Sequence, residues 1–566
     1  MAAVCLVVLF ALPQARAAET ASAVRSTSAV YVNDQPADIA GYYIEGSNYF
    51  RLRDLAAALA GTSSQFDVIW NGVENRVELS TGTSYTGGSA DSELADAVWA
   101  ALSTSSLFVD GQAMELAAYV VQGSNFYGLR DLGQILGFDV RWLPEEDCIC
   151  LYTGLGGTAR LAETSGGSLR VMNREKSTQR WGRTCYSYLY AEAGTISVFD
   201  VSQDGQGEAL SVDTYDSGSF TLLSSRTVPM ELDFFGGFYA GENYNYIVFG
   251  CNNIEEDSGK EVIRIVKYSK DFDRLGEVFI TSAQCATLRP FDAGTLRMSE
   301  WGSELVIHTS RATNAAGEKL DHESQLTIIL NTDTMEIVND LGLYQGNYVT
   351  PSYNQFVRHD GGLFVLLDHT TSSTRGLVLH QYTGASYDAS MLLPIPGDNA
   401  ASCTGITVGG FEISGSSYLA AINSVDHQLV TVYTDYTLEG LSPDEREIVL
   451  LSCGKDNTSE VTQTVLTDYV GSGKLGSTPY LVKLAEDRFM VLWEEFSYYE
   501  TNSRAYGVMD NGVRYVEVDG SGHPLTEARS VADARLSYDC QPIYKDGEVL
   551  WYVNAKAGRL FYSINA

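Results

Sequence analysis

From about residue 168 to the end of the chain one pattern recurs: a turn rich in Gly, Asp or Glu, a short apolar run, then a polar loop and another run. The clearest runs lie at 194–199, 243–249, 302–308, 361–367, 415–421, 486–493 and 546–552. They are too short and too rich in β-branched and aromatic residues to read as helices. Their separation of about 50 to 70 residues leaves room for a four-stranded antiparallel meander each. Second strands with hairpins support this, as at 262–268 before Asp271 and at 326–330 before Asn331. The pattern predicts a seven-bladed β-propeller over 165–566. The run Ser168–Met172 precedes the first unit, and the last unit ends one strand short, so this run is expected to complete the last blade and protect its edge. A pair of β-sandwiches or a solenoid would use the same runs. Six or eight blades are alternatives, with the stretch 425–480 long enough to hold an extra one.

The pattern differs before residue 155. Tyr31-Val-Asn-Asp-Gln ahead of Gly46-Ser-Asn-Tyr-Phe-Arg-Leu-Arg-Asp-Leu55 returns, 77 residues later, as Phe108-Val-Asp-Gly-Gln ahead of Gly123-Ser-Asn-Phe-Tyr-Gly-Leu-Arg-Asp-Leu132. This is a tandem duplication. Each copy predicts a strand, a turn at Asn33-Asp34 or Asp110-Gly111, a further strand, and a helix with Leu52, Leu55 and Leu59, or Leu129, Leu132 and Leu136, along one face. Asp54 and Asp131 fall in the first turn, where a carboxylate complements the helix dipole. A hairpin follows, Phe66–Trp70 with Arg76–Leu79 and Phe138–Trp142 with Cys148–Leu151. Each copy thus reads as a compact α+β module, at 28–82 and 105–154, with a linker over 83–104.

These residues resemble the copper amine oxidase N-terminal-like domain, a stalk module found in tandem on exported proteins of Gram-positive bacteria. The resemblance implies a spacer or wall-proximal element without a redox centre. Amine oxidase chemistry itself is excluded by the residues: no two His are one residue apart, and Asn243-Tyr244 and Asn347-Tyr348 are followed by Asn245 and Val349 rather than by an acid. The fold expected for the whole chain is mainly β, two small α+β stalk modules followed by the propeller.

Composition adds compartment and charge. The apolar run Ala2–Leu12 is too short to span a bilayer and is followed by Ala15-Arg16-Ala17, which reads as a signal peptide over 1–17. An extracellular or cell wall-associated location is therefore expected, with no transmembrane segment in the mature chain. Acidic residues number 72 against 37 basic, a net charge of -35, which argues against nucleic-acid partners. Of nine Cys, Cys5 lies in the leader and the others are dispersed, so free or occasionally paired thiols are expected rather than a disulfide framework. Strand alternation sets Cys148 and Cys150 opposite Ile149 and Leu151. Two thiolates make a poor zinc set, and cover by the linker or a neighbouring domain is the expected fate.

Two groups of residues could carry chemistry. Asp200, Ser202, Asp204 and Glu208 occupy positions 1, 3, 5 and 9 of Asp200-Val-Ser-Gln-Asp-Gly-Gln-Gly-Glu208, similar to the calcium loops of some propeller blades, although Ser202 stands where Asp is usual. An ordinary Asp-Gly hairpin is the competing reading. His308, Arg311, Asp368, His369, Arg375, Trp493 and Glu494 fall at the ends of expected strands, where propeller rims gather, and form a candidate ligand face. Buried polar strand ends are the alternative. The common hydrolase, phosphate-loop and metalloprotease motifs do not occur. The expectation is a surface or secreted binding protein, its propeller recognising a cell-wall or extracellular glycan or protein. The competing expectation is a polysaccharide hydrolase or lyase with its site in the channel.

Overall fold

The computed structural model describes residues 20–566 apart from 89–93, 157, 165–181, 205–206, 293, 314–321, 340–351, 372–374, 383–386, 398–401, 436, 443–444 and 501–505. The expected leader and the run Ser168–Met172 lie outside the described residues. The chain divides into two units, Met1–Leu155 and Gly156–Ala566.

In the first unit the two repeats do not fold side by side; they exchange strands. Three strands of each half, set side by side in two blocks, close into one barrel, in the order Thr20–Arg25, Gly41–Ile44, Ser47–Arg51, Ser124–Gly128, Ala118–Val121, Ala97–Leu102. The last of these lies within the stretch expected to be a linker. The hairpin of each copy also pairs with the other copy: Arg76–Thr81 runs parallel to Ser106–Val109, and Cys148–Thr153 parallel to Ala29–Val32. Val77 and Leu79 thereby share one core with Leu107 and Val109, as do Ile149 and Leu151 with Val30 and Val32. The helices Leu52–Ala58 and Leu129–Leu136 bury their Leu faces in that same core. Removing these side chains from water stabilises the unit by roughly 1.5–3 kcal/mol each, and neither copy could bury them alone.

The turns fall where the sequence places them. Asn33 and Asp34, and Asp110 and Gly111, have positive φ at both central positions, the geometry that lets a two-residue loop follow the strand twist. Cys148 and Cys150 are fully buried, their sulfurs 4.0 Å apart. In the first copy Arg51 donates to Asp54 at 2.6 Å in a buried pair; the second copy has Gly128 in place of that Arg.

The second unit contains seven antiparallel sheets of four or five strands among the described residues. Sheets 1 to 6 follow the chain over 187–228, 234–281, 287–337, 352–394, 406–465 and 474–531. Sheet 7 combines Ile543–Lys545, Glu548–Ala555 and Gly558–Asn565 with Ala159–Ala162, which pairs antiparallel with the last strand. Closure between the two ends of the unit is therefore present, with Ala159–Ala162 as a closing strand. Each of the seven apolar runs seen in the sequence is the second strand of a sheet. Among the described residues, the stretch 425–480 supplies a two-stranded hairpin, Val432–Tyr433 with Leu438–Glu439, and strands of sheets 5 and 6.

The sheets pack face to face in a ring. Phe199 of sheet 1 stacks on Phe238 of sheet 2, centroids 4.2 Å apart. Ile263 and Ile265 of sheet 2 meet Met298 and Leu305 of sheet 3, and Val306 meets Val357 of sheet 4. Leu367 and Leu379 continue into Val408 and Ile422 of sheet 5, and Leu419 and Ile448 into Leu481 and Trp493 of sheet 6. Tyr480 of sheet 6 donates to the Ser537 carbonyl that precedes sheet 7, at 2.8 Å. Tyr552 and Phe561 of sheet 7 pack on Ile196 and Val198 of sheet 1. Close approach has a sequence signature at Gly409-Gly410, where the first strand of sheet 5 is bulged: a Cβ on Gly409 would lie 1.6 Å from the Pro479 carbonyl oxygen.

Candidate functional site

The residues expected to form a ligand face occupy the seams between sheets instead. His308 in sheet 3 holds Thr327 Oγ1 through Nδ1 and Asp368 of sheet 4 through Nε2, both at 3.0 Å; His380 reaches the other Asp368 oxygen at 3.3 Å. Burial pushes the Asp368 carboxyl up, but the charge of His308 and hydrogen bonds from His308 and His380 outweigh it and hold the group well below the usual carboxylate range. Arg311, also buried, donates to Ser324 Oγ and Thr287 Oγ1, each at 3.4 Å.

A second seam joins sheets 4 and 5. His369, with no exposed surface, meets Thr404 Oγ1 at 2.9 Å; burial, and then the charge of Arg375, push its pKa down to about 3. Arg375 spends its donors on the carbonyls of Pro396, Thr371 and Cys403 and lies over the Tyr433 ring. Sheets 6 and 7 are joined by Glu494, which accepts from Arg535 Nε at 2.8 Å and from the Leu536 amide at 2.9 Å. Trp493 is buried and donates to the Tyr469 hydroxyl at 2.9 Å. His308 and Asp368 are thus brought together, as are His369 and Arg375, whereas Trp493 packs against sheet 5 and Glu494 turns toward sheet 7. These groups do not converge on one surface, because each satisfies polar atoms inside a different seam.

The calcium-loop positions have a similar fate. Paired strands Thr195–Asp204 and Gly207–Asp216 run through them, with Asp200 opposite Ser211, Ser202 opposite Ala209, Gln203 opposite Glu208 and Asp204 opposite Gly207. Asp200, Ser202 and Glu208 thus lie on an extended ladder. Asp200 is committed elsewhere, to Arg559 Nη2 at 2.7 Å, Tyr552 at 2.6 Å and Asn554 at 3.1 Å. Arg559 also bridges to Asp213 and donates to the Tyr215 hydroxyl. Glu208 accepts from the Phe235 amide at 2.8 Å, and Ser202 donates to the Ala209 carbonyl at 3.3 Å. Asp200 is thus a buried acid that locks sheet 1 to sheet 7.

The ring axis is lined by groups that the sequence did not single out. Arg183, Arg297, Asn354, Tyr480, Tyr538 and Asp539, all on or just before the innermost strands of five sheets, surround a cavity of about 30 Å3. Arg183 lies 3.8 Å over the Tyr538 ring and reaches Asp539 at 3.4 Å, while Arg297 covers Phe356 and Asn354 donates to the Val408 carbonyl. That volume matches about one water molecule. The innermost strands are short, bulged or split in two, as at Lys474–Gly476 and Tyr480–Ala485, so no apolar run marks them in the sequence.

A mainly β chain whose larger unit is a ring of radially packed four-stranded meanders belongs to the β-propeller class of folds. No family model and no curated protein matches the sequence. Solved structures of similar fold include phage phi92 endosialidase, 8% identical over 68% of this chain and 73% of that one, TM-score 0.36. The β-propeller domain of the Trilobed protease from Pyrococcus furiosus is 9% identical over 67% and 97%, TM-score 0.35. The N10 neuraminidase-like protein of A/little yellow-shouldered bat/Guatemala/060/2010 is 9% identical over 60% and 98%, TM-score 0.34.

Proposed function

We propose that the protein is an exported binding protein of the cell surface or extracellular space, its duplicated unit acting as a stalk and its propeller presenting loops to a glycan or protein. The observation that carries this reading over a channel hydrolase or lyase is the ring axis. Among the described residues, Arg183, Tyr538 and Asp539 bond to one another there beside a cavity of about 30 Å3, where small-molecule sites occupy roughly 300–1,000 Å3. The buried acids and histidines are used to bind one sheet to the next, so recognition falls to the loops at the rims. Export is supported by the leader pattern at 1–17, and the stalk role by the resemblance of 28–154 to the copper amine oxidase N-terminal-like domain.

Full-length protein applied to an array of cell-wall glycans, extracellular polysaccharides and surface proteins is expected to be retained on a subset of spots. Incubation of those ligands in solution should release no new reducing ends or unsaturated products. Product formation abolished by altering Arg183 or Asp539 would replace the binding reading with the enzymatic one. Secretion in a Gram-positive host should yield a mature chain beginning at Ala18; an uncleaved chain retained in the cytoplasm would remove the export reading.

A further inference from the structure

The strand exchange in the first unit creates a matched pair of clefts. One, of about 590 Å3, brings Arg53 and Trp70 and Asn75 of the first copy against Ser105, Ser124 and Asn125 of the second. The other, of about 570 Å3, brings Arg130, Trp142 and Asp147 of the second copy against Ser28, Ser47 and Asn48 of the first. Each of these residues has a counterpart in the other cleft, Arg53 with Arg130, Ser28 with Ser105, Ser47 with Ser124 and Asn48 with Asn125 at the repeat offset, and Trp70 with Trp142 and Asn75 with Asp147 at the slightly shorter spacing of the two hairpins. Both volumes lie in the range of ligand sites. Trp70 and Trp142, half-buried on their hairpins, keep 53% and 41% of their surface exposed.

Charge separates the two. In a chain of net charge -35, the Trp70 cleft is lined by Arg51 and Arg53 and, among the described residues, by no carboxylate. Arg51 is neutralised by Asp54, whereas Arg53 is exposed and forms no ion pair among the described residues. In the other cleft Asp147 replaces Asn75 and Asp131 also lines the wall, balancing Arg25 and Arg130. An indole face, a ring of hydroxyls and amides, and a guanidinium together suit a sugar ring bearing a carboxylate: the apolar ring face covers the indole, its hydroxyls meet Ser and Asn, and its acid pairs with the Arg fork.

We propose that the two clefts bind saccharide and that the Trp70 cleft selects an acidic sugar. The duplicated unit is then a ligand-binding element in its own right, whether or not the propeller also binds.

The test uses the full-length chain and three acidic hexasaccharide probes: oligogalacturonate, oligoguluronate and hyaluronan. The methyl ester of the galacturonate probe has the same ring skeleton without the charge and serves as the control. Calorimetry is expected to show binding of at least one acid and at least tenfold weaker binding of the ester, on the order expected when a charge-assisted hydrogen bond is lost. Trp70→Ala should weaken the acid by roughly 10- to 100-fold. Arg53→Gln, a change on an exposed side chain, should erase the preference for acid over ester while leaving the ester's affinity unchanged. Trp142→Ala should spare that preference. Absence of binding by all three acids at 5 mM, on the order of the weakest specific affinities, overturns the proposal. So does equal affinity for acid and ester, or an affinity untouched by Trp70→Ala. Loss of propeller-borne array binding with the cleft titrations intact would instead overturn only the propeller reading.

Discussion

Replacing Arg559 by Met is expected to lower the stability of the propeller by about 3–5 kcal/mol, the usual cost of removing one partner from a buried ion pair. Arg559 is 1% exposed and answers two carboxylates, Asp200 and Asp213, that sheet 1 sends into the seam with sheet 7. Tyr215 and Tyr552 complete the set, their hydroxyls bonded to Arg559 and to Asp200. Without the cation, two desolvated acids face each other with too few donors, and the seam that closes the ring takes the full penalty. Calorimetric melting should show the loss, and the triple change Arg559→Met, Asp200→Asn, Asp213→Asn should recover part of it, because the residues act as a unit. An Arg559→Met protein that melts like the parent would show that the seam is held by its apolar contacts alone.

The second large effect concerns acid. His369 is buried and its pKa is pushed down to about 3, against about 6.5 for an unfolded His. Between those values the unfolded chain binds a proton that the folded chain refuses. Stability from this group is therefore complete above about pH 6.5 and falls as pH drops toward 3, by on the order of 4 kcal/mol in all. Asp368 acts in a lower window: with its folded value held below the usual range, its contribution stays intact above about pH 4 and is lost only beneath that. Urea unfolding from pH 7 to pH 4 should show a steep decline in the parent and a shallower one in His369→Gln. A residual slope is expected from His359 and His427, which burial also lowers. Parallel curves for parent and variant would sink the assignment.

The sequence made the second strands of the sheets visible and hid their partners, for a physical reason. Runs such as Leu363–Thr370 are buried on both faces and so read as continuous apolar segments. The innermost strands lie near the axis, where Gly, Thr, Asn and Gln bond across seams: Thr295 to Gln355, Thr407 to Thr478, Asn354 to Val408. Polar composition there signals inter-sheet bonding, but in one dimension it resembles loop. The closing strand Ala159–Ala162 has four residues, two of them buried, too weak a pattern to compete with the more apolar run after it. In the duplicated unit the alternation of Val77 and Leu79 is satisfied equally by its own copy or by the other, so the exchange with Leu107 and Val109 leaves no trace in the pattern. His308, Asp368, His369 and Glu494 were legible as polar groups at strand ends; which neighbouring strand would claim each of them is decided only by three-dimensional packing.

Sheet 7 takes its outer strand from Ala159–Ala162 and the other three from residues 543–565. While the chain is still being synthesised, sheet 1 has no partner on one flank, and Ile196, Val198 and Phe220 wait uncovered for Tyr552 and Phe561. The ring can close only once residues 543–565 have been added, across a loop of nearly the whole unit, an entropically slow event. A product that stops before residue 543 keeps that apolar flank of sheet 1 uncovered.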